Sequence, residues 1–391
     1  MSEVEDDEIE LLHWGILGTG CYAKCFVGNL NYHMGKEDPN GPHRALVGVA
    51  SSRSEDMAKE LLDSFDVPDC TLTFRDYSEL VHSSLIDVVF IATPHSHHFQ
   101  NALLALEAGK HVVCQKSLTV NAAQAKKLFE IAQRKQLCLM EGWWLWWPQA
   151  SRKTCQLLRE GEIGEVNRIV ANFGIRNNYC MFRSESGRLT SKELAGGALL
   201  ERNLALHWIL RALPGGASRP TQVTSTMKKY PKSGVDETTT VEMIFSTGVR
   251  EIHAKASASL STAAGSDGQL AYVIIEGSNG KIEIHGWETI PTELYVFKNR
   301  YSLSELYRET LQEAEPLFIP EADEVARCIR EELLESPEMP WAESLLVMEI
   351  MDLVRKQNDL HYPPQIETSE PSISPLSKPL WGWLSSTGHQ V

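Results

Sequence analysis

Gly18-Thr19-Gly20-Cys21-Tyr22-Ala23 stands between a short apolar run, His13 to Leu17, and a helical stretch. No other segment constrains the fold as tightly. The spacing is G-x-G-x-x-G/A, in which Gly18 permits a tight turn, Gly20 lets the backbone approach a pyrophosphate, and Ala23 allows close helix–strand packing. The following helix N-terminus offers its free N–H groups to the phosphates, with Thr19, Cys21 and Tyr22 lining the same turn. The motif has the strand–turn–helix context it needs, and it points to dinucleotide binding. The bland alternative is a turn kept for packing alone.

The chain around this turn supports the first reading. Ala45 to Ala50, Ile86 to Ala92, His111 to Cys114 and Leu137 to Met140 are apolar strand-like runs. Helical stretches alternate with them, at Ser51 to Phe65, Phe99 to Ala108 and Asn121 to Arg134. Such alternation implies a parallel sheet covered on both faces. After about Gly142 the runs alternate apolar and polar residues, as in an antiparallel sheet with one wetter face. Gly277-Ser-Asn-Gly280 reads as a hairpin turn, and two helices, 321–335 and 340–357, follow. The expected fold is α/β: a Rossmann-type doubly wound parallel sheet, then an α+β domain with a large, mostly antiparallel open sheet. The boundaries are an acidic tail at 1–11, a dinucleotide domain at 12–141, a second domain at 142–362 and a Pro/Ser-rich tail at 363–391.

Composition narrows the partners. Lys+Arg 37 against Asp+Glu 52 gives a net charge of −15, which argues against nucleic acid or an anionic membrane as the main partner. No run approaches the roughly 20 apolar residues of a membrane span. The first ten residues read as a solvated tail rather than a signal peptide. Eight scattered cysteines form no CxxC pair, so the chain reads as a reduced, cytoplasmic protein without a zinc site or disulfide framework. His95, His97 and His98 cluster, but no carboxylate or cysteine follows at ligand spacing, so no metal is expected.

The second strand ends in Ser51-Ser52-Arg53, where an NAD-preferring domain carries Asp or Glu. Small hydroxyls and an arginine accommodate a 2′-phosphate instead, so Ser52 and Arg53 favour NADP over NAD. Ser51 or Ser52 could equally cap the next helix.

Two further segments carry a resemblance. Ala92 to Leu128, ATPHSHHFQNALLALEAGKHVVCQKSLTVNAAQAKKL, is similar to the T-P-x-x-x-H … A-G-K-H-V-x-x-E-K-P signature of the glucose–fructose oxidoreductase/inositol dehydrogenase (Gfo/Idh/MocA) family. GGALL at 196–200 resembles that family's G-G-G-A-L-L-D element. The branch it most resembles holds the trans-dihydrodiol dehydrogenases and fungal NADP-dependent D-xylose dehydrogenases. The resemblance implies hydride exchange between NAD(P) and a carbinol or carbonyl carbon of a small molecule, and a homodimer formed through the second domain's sheet. It also implies that Thr93, Pro94 and His98 lie along the cofactor, with Gln115 and the catalytic Lys116 beside its nicotinamide.

The departures matter as much. E-K-P is Gln115-Lys116-Ser117 here, which removes a carboxylate beside the lysine. The D-x-x-x-[HY] element reads Glu201 and Ala205, and alanine moves no proton; His207 is the nearby substitute, although two residues of helix turn it roughly 200° away. Trp143, Trp144, Trp146 and Trp147 form an aromatic surface at the domain junction, with Trp146 where relatives carry arginine. They read either as a core plug or, with Arg176, as the lining of a pocket for a flat, apolar or aromatic substrate. The residues thus leave three readings open. The first is an NADP-dependent oxidoreductase using Lys116, Glu201 and His207. The second is a lyase, isomerase or cyclase on a repurposed scaffold with no redox cofactor. The third is a silent nucleotide-binding regulator.

Overall fold

The computed structural model describes residues 11–34, 44–68, 70–142, 149–174, 187–248, 250–262, 271–287, 290–298, 306–310 and 318–371. Trp143, Trp144, Trp146, Trp147 and Arg176, and both chain ends, lie outside the described residues.

The first unit alternates strand and helix. In order it comprises β1 (Leu12–Leu17), α1 (Cys21–Met34), β2 (Arg44–Ala50), α2 (Glu55–Asp63), β3 (Leu72–Phe74), α3 (Tyr77–His82), β4 (Val88–Ile91), α4 (His95–Glu107), β5 (His111–Gln115), α5 (Ala122–Lys135) and β6 (Leu139–Gly142). The six strands are parallel in the order β3-β2-β1-β4-β5-β6. The order reverses between β1 and β4, and the crevice outside their carboxyl ends is where a doubly wound sheet binds its ligand. Every residue of β4 is buried, as a strand covered on both faces requires.

Short polar residues start the helices by accepting otherwise orphaned N–H groups. Asp76 accepts from Glu79 N at 2.8 Å and Asn121 from Gln124 N at 2.9 Å. Ser54, rather than Ser51 or Ser52, caps α2 by accepting from Met57 N at 3.4 Å. Helix α4 begins at His95, four residues before its apolar periodicity does, because Pro94 is extended and sets the entry. In the core, Phe26 stacks on Phe90 with ring centroids 3.9 Å apart, and Phe318 meets both edge-on.

The second unit contains α6 (Gln149–Arg159), β7 (Val166–Gly174), a 3-10 turn (Arg188–Thr190), α7 (Ala198–Glu201) and α8 (Leu204–Arg211). There follow β8 (Gln222–Lys229), β9 (Asp236–Ser246), β10 (Glu251–Ser259), β11 (Val273–Gly277), β12 (Gly280–Trp287), β13 (Ile290–Lys298) and β14 (Leu306–Thr310). The eight strands run β14-β13-β12-β11-β7-β10-β9-β8, antiparallel except for β7 against β10. β10 shows the two faces of this sheet: Glu251, His253 and Lys255 are exposed, whereas Ile252, Ala254 and Ala256 are buried.

Three helices, α9 (Ile319–Arg330), α10 (Trp341–Gln357) and α11 (Pro364–Glu367), bring the chain back onto the first unit. Helix α9 ends five residues earlier than its sequence suggests. Glu332 turns left-handed (φ 55°), and the Leu334 carbonyl accepts Leu139 N at 2.9 Å. The segment after Pro363 is not irregular throughout, since Gln124 Nε2 donates to the carbonyls of Ile366 (2.7 Å) and Thr368 (2.8 Å) and holds α11 in place.

Candidate active site

The glycine turn sits at the carboxyl end of β1, beside that of β4. Gly18 has φ +107°, and a Cβ there would lie 2.8 Å from the Ala92 carbonyl oxygen, so only glycine fits. Gly20 is different. A Cβ there would meet nothing nearer than 3.8 Å, which leaves its backbone open to a phosphate. Ala23 is fully buried under the helix. Ser51 Oγ accepts from Arg53 N at 3.3 Å, and Arg53 itself is exposed at the rim where a 2′-phosphate would come. At the other end of the crevice the side-chain amide of Gln115 is buried with neither its oxygen nor its nitrogen bonded. An open glycine backbone and an orphaned buried amide fit a dinucleotide lying along this edge. Cys21, the first residue of α1, has its thiol lowered to about 7, chiefly by a hydrogen bond from Cys25.

Lys116 follows directly on β5, its peptide bond to Ser117 is cis, and its ammonium is almost wholly buried. Nζ donates to the Glu201 carbonyl at 2.8 Å and to Glu201 Oε1 at 3.0 Å. Glu201 lies at the end of α7, fully buried, and gathers four groups. Oε1 also takes a long 3.4 Å contact from the Tyr22 hydroxyl; Oε2 takes Arg188 Nη2 at 3.1 Å and faces His95 Nε2 at 3.7 Å. The Tyr22 ring lies under the ammonium, its centroid 5.2 Å from Nζ.

The charges follow from this geometry. Burial disfavours the ammonium and Glu201 opposes it, so Lys116 is lowered to about 8. Burial also works against the Glu201 carboxylate, but Arg188, Lys116 and His95 outweigh it and hold the carboxyl well below its usual range. Burial lowers His95 to about 3 and His98 to about 4, so both are neutral near pH 7. The site therefore holds a lysine poised near neutrality against a permanent carboxylate.

Gly196 and Gly197 place the second half of the site. A Cβ on Gly196 would lie 2.6 Å from the Arg188 carbonyl oxygen and 2.5 Å from that of Leu189, so the 3-10 turn can seat only on glycine. Gly197 has φ +122° and packs against Asp236, whose Oδ2 accepts Leu199 N at 2.6 Å at the start of α7. Together these contacts carry Arg188 and Glu201 to one point.

Residues 12–143 match an oxidoreductase family with an NAD-binding Rossmann fold, and residues 151–283 match the GFO/IDH/MocA C-terminal domain. The chain belongs to the GFO/IDH/MocA oxidoreductase family. It is 35% identical over 389 residues to the D-xylose 1-dehydrogenase (NADP(+)) of Hypocrea jecorina, covering 91% of this chain and 94% of that one. It is 31% identical over 355 residues to the trans-1,2-dihydrobenzene-1,2-diol dehydrogenase of Mus musculus, covering 90% and 98%. Two solved structures share the fold. One is a levoglucosan dehydrogenase in complex with NADH and levoglucosan (TM-score 0.74, 19% identity, 90% of this chain and 98% of that one). The other is an NADP-bound 3-ketoreductase from Actinomadura kijaniata (TM-score 0.72, 20% identity, 89% and 98%).

Within this GFO/IDH/MocA chain the structure brings together Lys116, Glu201, Tyr22 and the glycine turn. His98 lies between the carbonyls of Ser117 (2.7 Å) and Thr93 (2.8 Å) and ties the lysine turn to the start of α4, where Pro94 stands. His207 is not brought to the pair. Its Nδ1 bonds Glu343 Oε1 at 2.8 Å and its Nε2 lies 3.8 Å from Glu141 Oε2, so both nitrogens face other carboxylates. The helical angle argued from the sequence is the reason. Glu141 in turn accepts Leu118 N at 3.0 Å, two residues from Lys116. Sequence reasoning missed Arg188 and His95 as partners of Glu201, because nothing in their spacing marks contacts made across 13 and 106 residues.

Proposed function

We propose that this chain is an NADP-dependent oxidoreductase that exchanges hydride with a carbinol or carbonyl carbon of a sugar-like small molecule. The observation that carries it is the buried Lys116–Glu201 pair, set at the carboxyl edge of a parallel sheet beside a glycine turn with an open backbone. The relatives' names agree with this reading, one being an NADP-dependent sugar dehydrogenase and the other a cyclic-diol dehydrogenase.

Gly18, Gly20 and the first turn of α1 would hold the pyrophosphate. Ser52 and Arg53 would hold the 2′-phosphate, with Thr93, Pro94, His98 and Gln115 along the nicotinamide half. Bound there, the cofactor supplies a two-electron hydride acceptor or donor. Lys116 handles the proton. Two of its N–H groups are held by Glu201, which fixes Nζ and leaves one position for a substrate oxygen. As the neutral amine it takes the carbinol proton in the oxidative direction; as the ammonium it returns that proton to the carbonyl oxygen in the reductive one. Burial brings Lys116 to about 8, so both forms are accessible near neutral pH. Glu201 stays ionised and orients the amine rather than titrating.

The outer face of the eight-stranded sheet is the surface through which two copies would pair; size-exclusion chromatography with light scattering checks this.

The test is an initial-rate screen of aldoses, uronates and cyclic diols with NADP⁺, run beside Lys116→Met. Turnover by the native chain that falls about 10²–10⁴-fold in the variant is expected. Turnover that survives the substitution would remove Lys116 from the chemistry.

A further inference from the structure

Arg188 is the group at this site that no part of the reading above uses. It stands on the 3-10 turn, and Gly196 and Gly197 fix the backbone beneath it, through Gly197 N to the Leu189 carbonyl at 2.8 Å and Gly196 N to that of Ser191 at 2.8 Å. Its guanidinium makes one hydrogen bond among the described residues, Nη2 to Glu201 Oε2 at 3.1 Å. A guanidinium carries five N–H donors, so the remaining ones have no hydrogen-bond partner among the described residues. It is also more open to solvent than Lys116 and His95 beside it on Glu201, its side chain 20% exposed against 1% for Lys116 and 2% for His95.

A rigid, under-bonded guanidinium at the mouth of a buried reaction site calls for an oxygen-rich partner. Charge decides which kind. Arg188 and Arg202 both act on the single carboxylate of Glu201, joined by Lys116 in its ammonium form, while His95 is neutral, so this cluster carries an excess of positive charge. A planar donor fork matches a carboxylate in two parallel hydrogen bonds, and the charge-assisted pair is stronger than a bond to a neutral hydroxyl.

We propose that Arg188 anchors the substrate and selects a sugar acid, with a carboxylate close to the reacting carbinol, over the corresponding neutral sugar. The inference rests on the oxidoreductase reading and adds the substrate class. Arg188 thereby becomes the specificity-determining residue of the site, while Lys116 performs the proton transfer.

The experiment compares D-glucuronate, D-glucose and D-glucose 6-phosphate with NADP⁺ in the native protein, Arg188→Gln and Arg188→Lys. In the native protein kcat/KM for glucuronate is expected to exceed that for glucose by about tenfold or more, and to exceed that for the phosphate ester. In Arg188→Gln the glucuronate-to-glucose ratio is expected to fall at least about tenfold, with Arg188→Lys between the two. A binding readout runs alongside. Glucuronate should raise the melting temperature of the NADPH-loaded native protein at low salt, and should not do so in Arg188→Gln. If both substrates lose activity equally in Arg188→Gln, the arginine only holds Glu201 and the proposal falls. A native preference for glucose or for the phosphate ester also overturns it. Failure to bind NADPH at all would instead bring down the oxidoreductase reading, so the two failures are separate.

Discussion

Replacing Glu201 by Gln removes the charge of the carboxylate and keeps its shape. In the native protein burial pushes Lys116 down and the Glu201 carboxylate pushes it back up, with about 8 as the outcome. Without that carboxylate the downward influences of burial, Arg188 and Arg202 are opposed only by the Glu201 carbonyl and the Tyr22 ring, which both proteins keep. An opposite charge at 3.0 Å raises a lysine pKa by about 1–3, so Lys116 should titrate at about 5–7 in the variant. The sign of the effect depends on direction. Reduction needs the ammonium, and its population at pH 7 falls from about 91% to about 9% if the group moves to about 6, roughly a tenfold loss. Oxidation needs the free amine, so its alkaline requirement relaxes and the acid limb of its profile moves down. Stability falls too, since stripping one partner from a buried pair costs about 3–5 kcal/mol when the other charge is left uncompensated. The assay is kcat/KM for both directions between about pH 5.5 and pH 9.5, with melting temperatures confirming that the variant is folded at each point. An acid limb that stays near about 8 in Glu201→Gln would refute the reasoning, because some other group would then set the lysine.

Three substitutions test the rest of the account. Gly20→Ala meets no atom within 3.8 Å, so it should fold normally and weaken NADPH binding at least about tenfold by fluorescence titration. Gly18→Ala faces a carbonyl oxygen at 2.8 Å with φ +107°, so it should instead lower stability by about 1–3 kcal/mol in denaturant unfolding. Gly197→Ala would put a Cβ 2.1 Å from Asp236 Oδ1, displacing the carboxylate that accepts from Leu199; loss of both stability and turnover is expected, read by unfolding and initial rates.

Local signals made the first unit legible. The glycine turn, the buried runs and Asn121 at the start of α5 each act within a few residues, and their alternation made a parallel sheet legible; β3 and α3, three and six residues long, carry too little pattern to be read. β13 and β14 went unread because neither is bounded by a turn as plain as Gly277-Ser-Asn-Gly280, and β14, at the end of the strand order, holds Arg308, Glu309 and Thr310 among its five residues. Helix α9 was read too long, because the left-handed break at Glu332 is set by the docking of Leu334 on Leu139 rather than by any residue that stops a helix. Within the site, Lys116 and Glu201 were legible through their motifs. Arg188, His95 and the Tyr22 hydroxyl were not, because they meet only after the two units pack. His207 looked available in the sequence, but it is engaged by Glu343 from α10, 136 residues away.

The account turns on whether the crevice beside Gly20 accepts NADP. Titrating the purified protein with NADPH and NADH, following energy transfer from its tryptophans, measures this directly. Micromolar or tighter binding of NADPH, well ahead of NADH, is the expected result. Equal affinity for the two would contradict the roles given to Ser52 and Arg53, and no binding of either up to about millimolar concentration would contradict the central claim.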